Sequence, residues 1–114
     1  MGERINDASE RLFQDKVRTI FQMAGWQTFH PTPHLVRQGV WRSDGKGFPD
    51  LVCAHPKRGV LFAELKAEGG RVSEHQELWR IAIEGHVEYY LWRPSDLQRI
   101  AEIAGRTAGP RLRG

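Results

Sequence analysis

Apolar residues recur at three- and four-residue spacings from Asp7 to about Gly25. Phe13, Val17, Ile20, Phe21 and Ala24 share one helical face, and Gly25 suits the residue that ends such a helix. Trp26 to His30 reads as a short strand. The period then fails over HPTPHLVRQGVWRSDGKG, residues 30–47, where proline, glycine and basic side chains dominate. A stretch of that kind inside a compact domain is functional or mobile. Asp50 to Ala54 and Val60 to Lys66 follow, apolar on both faces, as strands in the middle of a covered sheet are. Ser73 starts a second helix that ends near Gly85, with Leu78, Ile81 and Ala82 along its inner stripe. Val87 to Trp92 is a further strand, and Pro94-Ser95 opens a last helix from Asp96 to about Ala104, stopped by Gly105. The order α-β-β-β-α-β-α predicts an α/β domain, a mixed β-sheet flanked by helices, over residues 1–105. Residues 106–114 form a basic tail without apolar period, expected to be flexible.

Composition narrows this picture only a little. A chain of 114 residues buries one core without disulfides or structural metal, and the lone Cys53 is expected to be a small packing residue in a reducing compartment. The first residues, MGERINDASE, are polar and unlike a secretory signal, and the longest apolar run, VLFA, is far too short for a bilayer. The expectation is a cytoplasmic protein with no membrane partner. Thirteen arginines and four lysines leave a formal charge of +3, which is compatible with a polyanionic partner without establishing one.

The chemistry lies in charges where a sheet should have none. If His55 to Gly59 form a five-residue hairpin loop, Ala54 faces Val60 and, counting outward, Asp50 faces Glu64. Directly opposed residues point to one side of the sheet, and Lys66, two positions beyond Glu64, lies on that side too. Two opposed carboxylates repel, so something must offset them. The candidates are a structural ion network with Lys66, one carboxyl kept protonated by a raised pKa, or a divalent cation held between oxygen ligands. A lysine beside such a cation can hold or deprotonate a water, or stabilise charge on a phosphate.

Gly47-Phe48-Pro49-Asp50, thirteen residues, then Glu64-Leu65-Lys66 resembles the PD-(D/E)xK nuclease signature, and within it the VRR-Nuc family, including its stand-alone phage-type members. A glutamate on the first helix and a glutamine on the helix after the E-x-K strand complete the family pattern, matched here by Glu10 and Gln76. The likeness runs from about Ser9 to about Leu97 and implies a restriction-endonuclease-like core. It implies a Mg²⁺- or Mn²⁺-dependent DNA endonuclease, with Asp50, Glu64 and the Leu65 carbonyl as metal ligands and Lys66, Glu10 and Gln76 as catalytic residues. It further implies branched DNA, such as four-way junctions, as substrate and a homodimer as the acting form. A non-catalytic DNA-binding or assembly module of the same fold, and a nuclease acting on RNA, are the competing readings.

Plainer roles exist for several of these residues. Asp7 with Glu10, and Ser73 with Gln76, both fit helix capping boxes, and Ser95 with Gln98 repeats the spacing where only capping is expected. Glu10, Gln14, Val17 and Phe21 share a face, which favours the site for Glu10. Candidate DNA contacts are Arg37, Arg42 and Lys46 before the first charged strand and Arg71 after the second, where Gly69-Gly70 permits a close approach to phosphate. Lys57 and Arg58, at the hairpin tip, are expected to be surface charges or contacts to a distant duplex arm. Trp26, Phe29, Trp79 and Trp92 read as core aromatics, whereas Trp41 could stack on a base or pack between subunits.

Overall fold

Residues 2–31, 34–37, 40–42 and 45–111 are described by a computed structural model; of these, residues 2–7, 34–37 and 40–42 are described by their backbone alone. The elements are α1 (Gly2–Met23), β1 (Gln27–Phe29), β2 (His34–Arg37), β3 (Val40–Arg42), β4 (Leu51–His55), β5 (Gly59–Leu65), α2 (Glu74–Ile83), β6 (Glu88–Trp92) and α3 (Leu97–Ala104). A four-stranded sheet in the order β1-β4-β5-β6 forms the centre. Its first three strands are antiparallel, and β6 joins β5 in parallel after the α2 crossover, which makes the sheet mixed, as the sequence pattern predicts.

One face of this sheet carries the core. Leu51, Cys53, Leu61, Ala63, Leu65 and Trp92 point to it and meet Phe13, Val17 and Phe21 of α1 and Ile100, Ile103 and Ala104 of α3. Phe21 stands edge-on to Trp26 at 5.0 Å and stacks on Trp92 at 5.9 Å, so the predicted helical face of α1 is the one that seats the aromatics. Cys53 is buried there, its thiol pushed up to about 12 by desolvation.

Five sequence expectations change. The helix runs back through Asp7 to Gly2, so Glu10 sits in mid-helix and not in a capping box. Part of the irregular 30–47 segment pairs as a separate ribbon, β2 with β3, whose register shifts between Leu35 and Arg37; that irregularity, with prolines at 31 and 33, hides the strand alternation. Leu78, Ile81 and Ala82 are exposed rather than inward, and the half-buried side of α2 is Gln76, Trp79, Arg80 and Ile83. A helix stripe reads as inward when it is apolar, but here α2 meets a carboxylate and an aromatic edge. Phe29 is 63% exposed and belongs to no core. The Ser95–Gln98 box does not form either: Asp96 Oδ2 takes the Arg93 amide at 2.8 Å, and the Ser95 amide goes to Glu68 Oε1 at 2.7 Å.

The hairpin tip departs from expectation in an instructive way. His55 pairs with Gly59, so the loop is shorter than five residues, yet Ala54 still faces Val60 and the inferred register stands. His55 Nδ1 accepts from the amides of Lys57 and Arg58, at 3.0 and 3.2 Å, and shapes the turn. Arg58 is no loose surface charge. Its Nη1 donates to the carbonyls of Ala24 (3.0 Å) and Ala104 (2.9 Å), the C-terminal ends of α1 and α3, where a cation meets both unpaired carbonyls and the negative end of the helix dipole. Arg106 fixes the same corner, bonding the Arg58 carbonyl (Nη2, 2.6 Å) and gripping Glu88 with both Nη atoms at 2.6 and 2.7 Å.

Candidate active site

The site lies at the other end of the same hairpin. The pairs Ala54–Val60 through Leu51–Ala63 extend by one step to set Asp50 opposite Glu64, on the sheet face away from α1 and α3. The side chains keep to the cross-strand geometry. Asp50 Oδ2 accepts the Leu65 amide at 2.8 Å, and its carboxyl is close enough to the Glu64 carboxyl to act on its titration. Glu64 is fully buried; its Oε1 accepts from Gln76 Nε2 at 3.0 Å, whereas its Oε2 is buried without any hydrogen-bond partner. Each carboxylate thus gives one oxygen to a neutral N–H donor, and an oxygen of Glu64 is left over.

Burial raises the Glu64 pKa to about 10, with the hydrogen bond and charge of Asp50 adding to it, Lys66 opposing and Glu10 adding a little. Desolvation disfavours the ionised form, and a second acid at this distance disfavours it further. Lys66 follows β5, its amide bonded to the Trp92 carbonyl at 3.0 Å, and alternation puts its side chain on the Glu64 side. Among the described residues no ion pair joins Lys66 to Asp50 or Glu64. A closed lysine–carboxylate network therefore does not account for the cluster.

The proline before Asp50 bears on Leu65. Because the Lys66 amide faces β6, the amide and carbonyl of Leu65 face the β4 side, where the register sets Pro49 opposite. Proline has no N–H to give. The Leu65 N–H is taken by Asp50, and its carbonyl has no ladder donor, so it is free on the same side as the Asp50 carboxyl. His30 Nδ1 lies 2.6 Å from the Asp50 carbonyl and stands in for a ladder partner where β1 has already ended. Neither contact was evident from the sequence, because each depends on where a strand stops.

Glu10 reaches the same corner from α1. A Cβ on Gly70 would come within 3.4 Å of Glu10 Oε2, which places this carboxylate against the turn that follows β5. Gln76 is both cap and site residue. Ser73 Oγ accepts the Gln76 amide at 3.1 Å, Gln76 Oε1 accepts the Ser73 amide at 2.8 Å, and the remaining end of the side chain holds Glu64. Lys46, in the turn before Asp50, and Arg71, in the turn after β5, are exposed. The side chains of Arg37, Arg42 and Trp41 lie outside the described residues. The Ser73–Gln76 capping box expected from the sequence is present, and the residue missed in the sequence is His30.

No group of three or more His, Cys, Asp or Glu side chains among the described residues gathers as a metal site. The donors present are two carboxylates and one backbone carbonyl. They are hard oxygens on packed strands, suited to a small divalent cation that keeps several waters. The unpaired Glu64 Oε2 beside a second carboxyl is the feature that fits such an ion: burial favours the protonated acid, and a divalent cation is a partner that could displace that proton and take up the free oxygen.

No helix among the described residues is long and apolar enough to cross a membrane. No curated protein and no solved structure matches the chain. The VRR-NUC domain matches residues 3–94, a span that takes in Glu10, Asp50, Glu64, Lys66 and Gln76. The chain belongs to the VRR-NUC domain family, and with it to the nucleases.

Proposed function

We propose that this domain is a Mg²⁺- or Mn²⁺-dependent endonuclease that hydrolyses DNA phosphodiesters, with branched DNA such as a four-way junction as substrate and a homodimer as the acting form, in the cytoplasm. The observation that carries the metal reading is the buried, unpaired Glu64 Oε2 next to the Asp50 carboxyl. The branched substrate and the dimer rest on the resemblance to small phage-type members.

Asp50, Glu64 and the Leu65 carbonyl would hold the ion. A divalent ion held there supplies Lewis-acid polarisation of the phosphoryl group and offsets the carboxylates' charge. Lys66 Nζ orients the attacking water and stabilises negative charge building on the phosphate. Gln76 fixes the Glu64 rotamer through Oε1. Glu10 receives a hydrogen bond from a water in the site. Lys46, Arg71, Arg37 and Arg42 screen the DNA phosphates, positioning the strand without reading its sequence.

The test is a Mg²⁺ titration with labelled four-way junction, matched linear duplex and single strand, using wild type and Lys66→Ala. Symmetric cuts near the branch that need Mg²⁺ and vanish in Lys66→Ala support the full reading. Equal cutting of every duplex removes the junction preference. Junction binding indifferent to Mg²⁺ with no nicking by wild type would favour a non-catalytic module.

A further inference from the structure

Helix α2 has no buried residue. Beyond Gln76 on Glu64, it is seated on the short turn before Asp50. Trp79 Nε1 donates to the Lys46 carbonyl at 3.0 Å, and the Trp79 ring stands edge-on to Phe48 at 5.0 Å. Between those two residues lies Gly47, with φ +86. A Cβ built on Gly47 would fall 2.4 Å from the His75 carbonyl carbon, 2.5 Å from its oxygen and 2.7 Å from the Gln76 nitrogen. All three are backbone atoms in the first turn of α2, so no side-chain rotation can relieve the overlap.

We infer that Gly47 is a positioning residue for the cation site, acting through Gln76. Its missing side chain lets the turn seat the first turn of α2, and that contact sets the distance from Gln76 to Glu64. The Ser73 amide, bonded to Gln76 Oε1, orients the side-chain amide so that Nε2 faces Glu64 Oε1 and Oε2 is left free. A displacement of about 0.6–1 Å, needed to bring a 2.4 Å overlap back to a real contact, takes a 3.0 Å hydrogen bond out of reach, since its strength falls steeply with distance and angle. The functional part of this inference rests on the proposed cation reading; the contact between Gly47 and α2 does not.

Gly45 provides an internal control. It has a similar φ of +77, so alanine there meets the same backbone strain, but its Cβ would touch only the Phe48 Cβ at 3.8 Å, an ordinary contact. Strain without pressure on α2 is therefore available in the same turn.

The experiment compares Gly47→Ala, Gly45→Ala, Gln76→Ala and the double variants Gly47→Ala/Gln76→Ala and Gly45→Ala/Gln76→Ala. Three quantities are read: Mn²⁺ affinity by calorimetry, the NMR signals of the Gln76 side-chain amide in metal-free protein, and kcat and KM on DNA. Gly47→Ala should weaken Mn²⁺ binding roughly tenfold and lower kcat with KM nearly unchanged. It should also collapse the two Gln76 amide signals towards those of a free side chain. Gly45→Ala should keep those signals and stay within about twofold in Mn²⁺ affinity, at a similar loss of melting temperature. On the Gln76→Ala background, Gly47→Ala should add less than about twofold, because a residue acting through another is not additive with it. Equal effects of the two glycine variants, or full additivity of Gly47→Ala with Gln76→Ala, would overturn the inference. If wild type binds no Mn²⁺, the cation reading fails and the amide signals alone decide whether Gly47 positions Gln76. If Gly47→Ala does not fold, Trp79→Phe removes the adjoining bond to Lys46 without adding an atom; unchanged Gln76 signals in that variant would overturn the inference.

Discussion

The two ends of the β4–β5 hairpin handle charge in opposite ways. At the turn, Arg58 bonds the ends of two helices, Arg106 holds Glu88 with both Nη atoms, and Tyr90 Oη adds a donor to Glu88 at 2.5 Å. Opposite charges are paired and the donors are distributed over carbonyls at the ends of the helices, Ala104 sharing its oxygen between Arg58 and the Trp26 indole. At the strand ends, two carboxylates oppose each other, the nearest lysine closes no ion pair with either, and a buried oxygen is unpaired. Both ends belong to one rigid ladder, so the contrast is not a matter of loop against core. That contrast is what supports the cation proposed for the second end.

The largest expected break in that symmetry is catalytic. Lys66→Ala should lower DNA cleavage by about 10²-fold or more while duplex and junction affinity change little, as gel-shift and single-turnover assays would report. Comparable cleavage by the variant and wild type would remove Lys66 from the mechanism.

Next comes a stability effect at the turn. Arg106→Ala strands Glu88, only 6% exposed at its side chain, and should destabilise by about 3 kcal/mol, read from urea unfolding. Asp50→Asn at the site should cost far less, since the substitution keeps an oxygen for the Leu65 amide and strands no charge beside the protonated Glu64. A larger loss in Asp50→Asn than in Arg106→Ala would reverse the comparison.

The pH dependence sharpens it. Burial, with Asp50 beside it, lifts Glu64 from an ordinary 4.5 to about 10, so between those values the folded state keeps a proton that the unfolded chain has released. The contribution of Glu64 is therefore full below about 4.5, declines as pH rises and is gone above about 10. Denaturant melts of metal-free protein across this range should show the decline, and Glu64→Gln should flatten it.

Ser73→Ala is the smallest of the four. Loss of the cap should cost about 1 kcal/mol in thermal melts, with a further decrease in kcat only as far as Gln76 loosens. A wild-type melting temperature for this variant would mean that the cap is not holding the helix.

Much of this was legible because two periodicities carry it. Strand alternation and a turn between His55 and Gly59 were enough to set Asp50 against Glu64, and the register survived an error in loop length because an added pair at the turn leaves every other pair in place. The apolar face of α1 was equally plain. The role of α2 was not. Its exposed Leu78 and Ile81 look like a core stripe; the family pattern marked Gln76 for the site, but its carboxylate partner is visible only in the packed fold. Arg58 was misread for a related reason: a basic residue at a turn is exposed unless distant helix ends arrive beside it, and that arrival is a tertiary fact. Gly47 carried a motif in the sequence, but only the packed helix shows what a side chain there would strike.

The anchoring of Arg58 has a bearing on which sequence changes this scaffold tolerates. Alternation along β5 means that a one-residue slip of its register would turn the strand over, carrying Leu65 (after a deletion between His55 and Gly59) or Ala63 (after an insertion) to where Glu64 now stands and sending the acid into the aromatic interior. Arg58 and Arg106 clamp the bend from outside and resist that slip. This corner, at the opposite end of the hairpin from the acids, thereby acts as the ratchet that keeps them on their proper side.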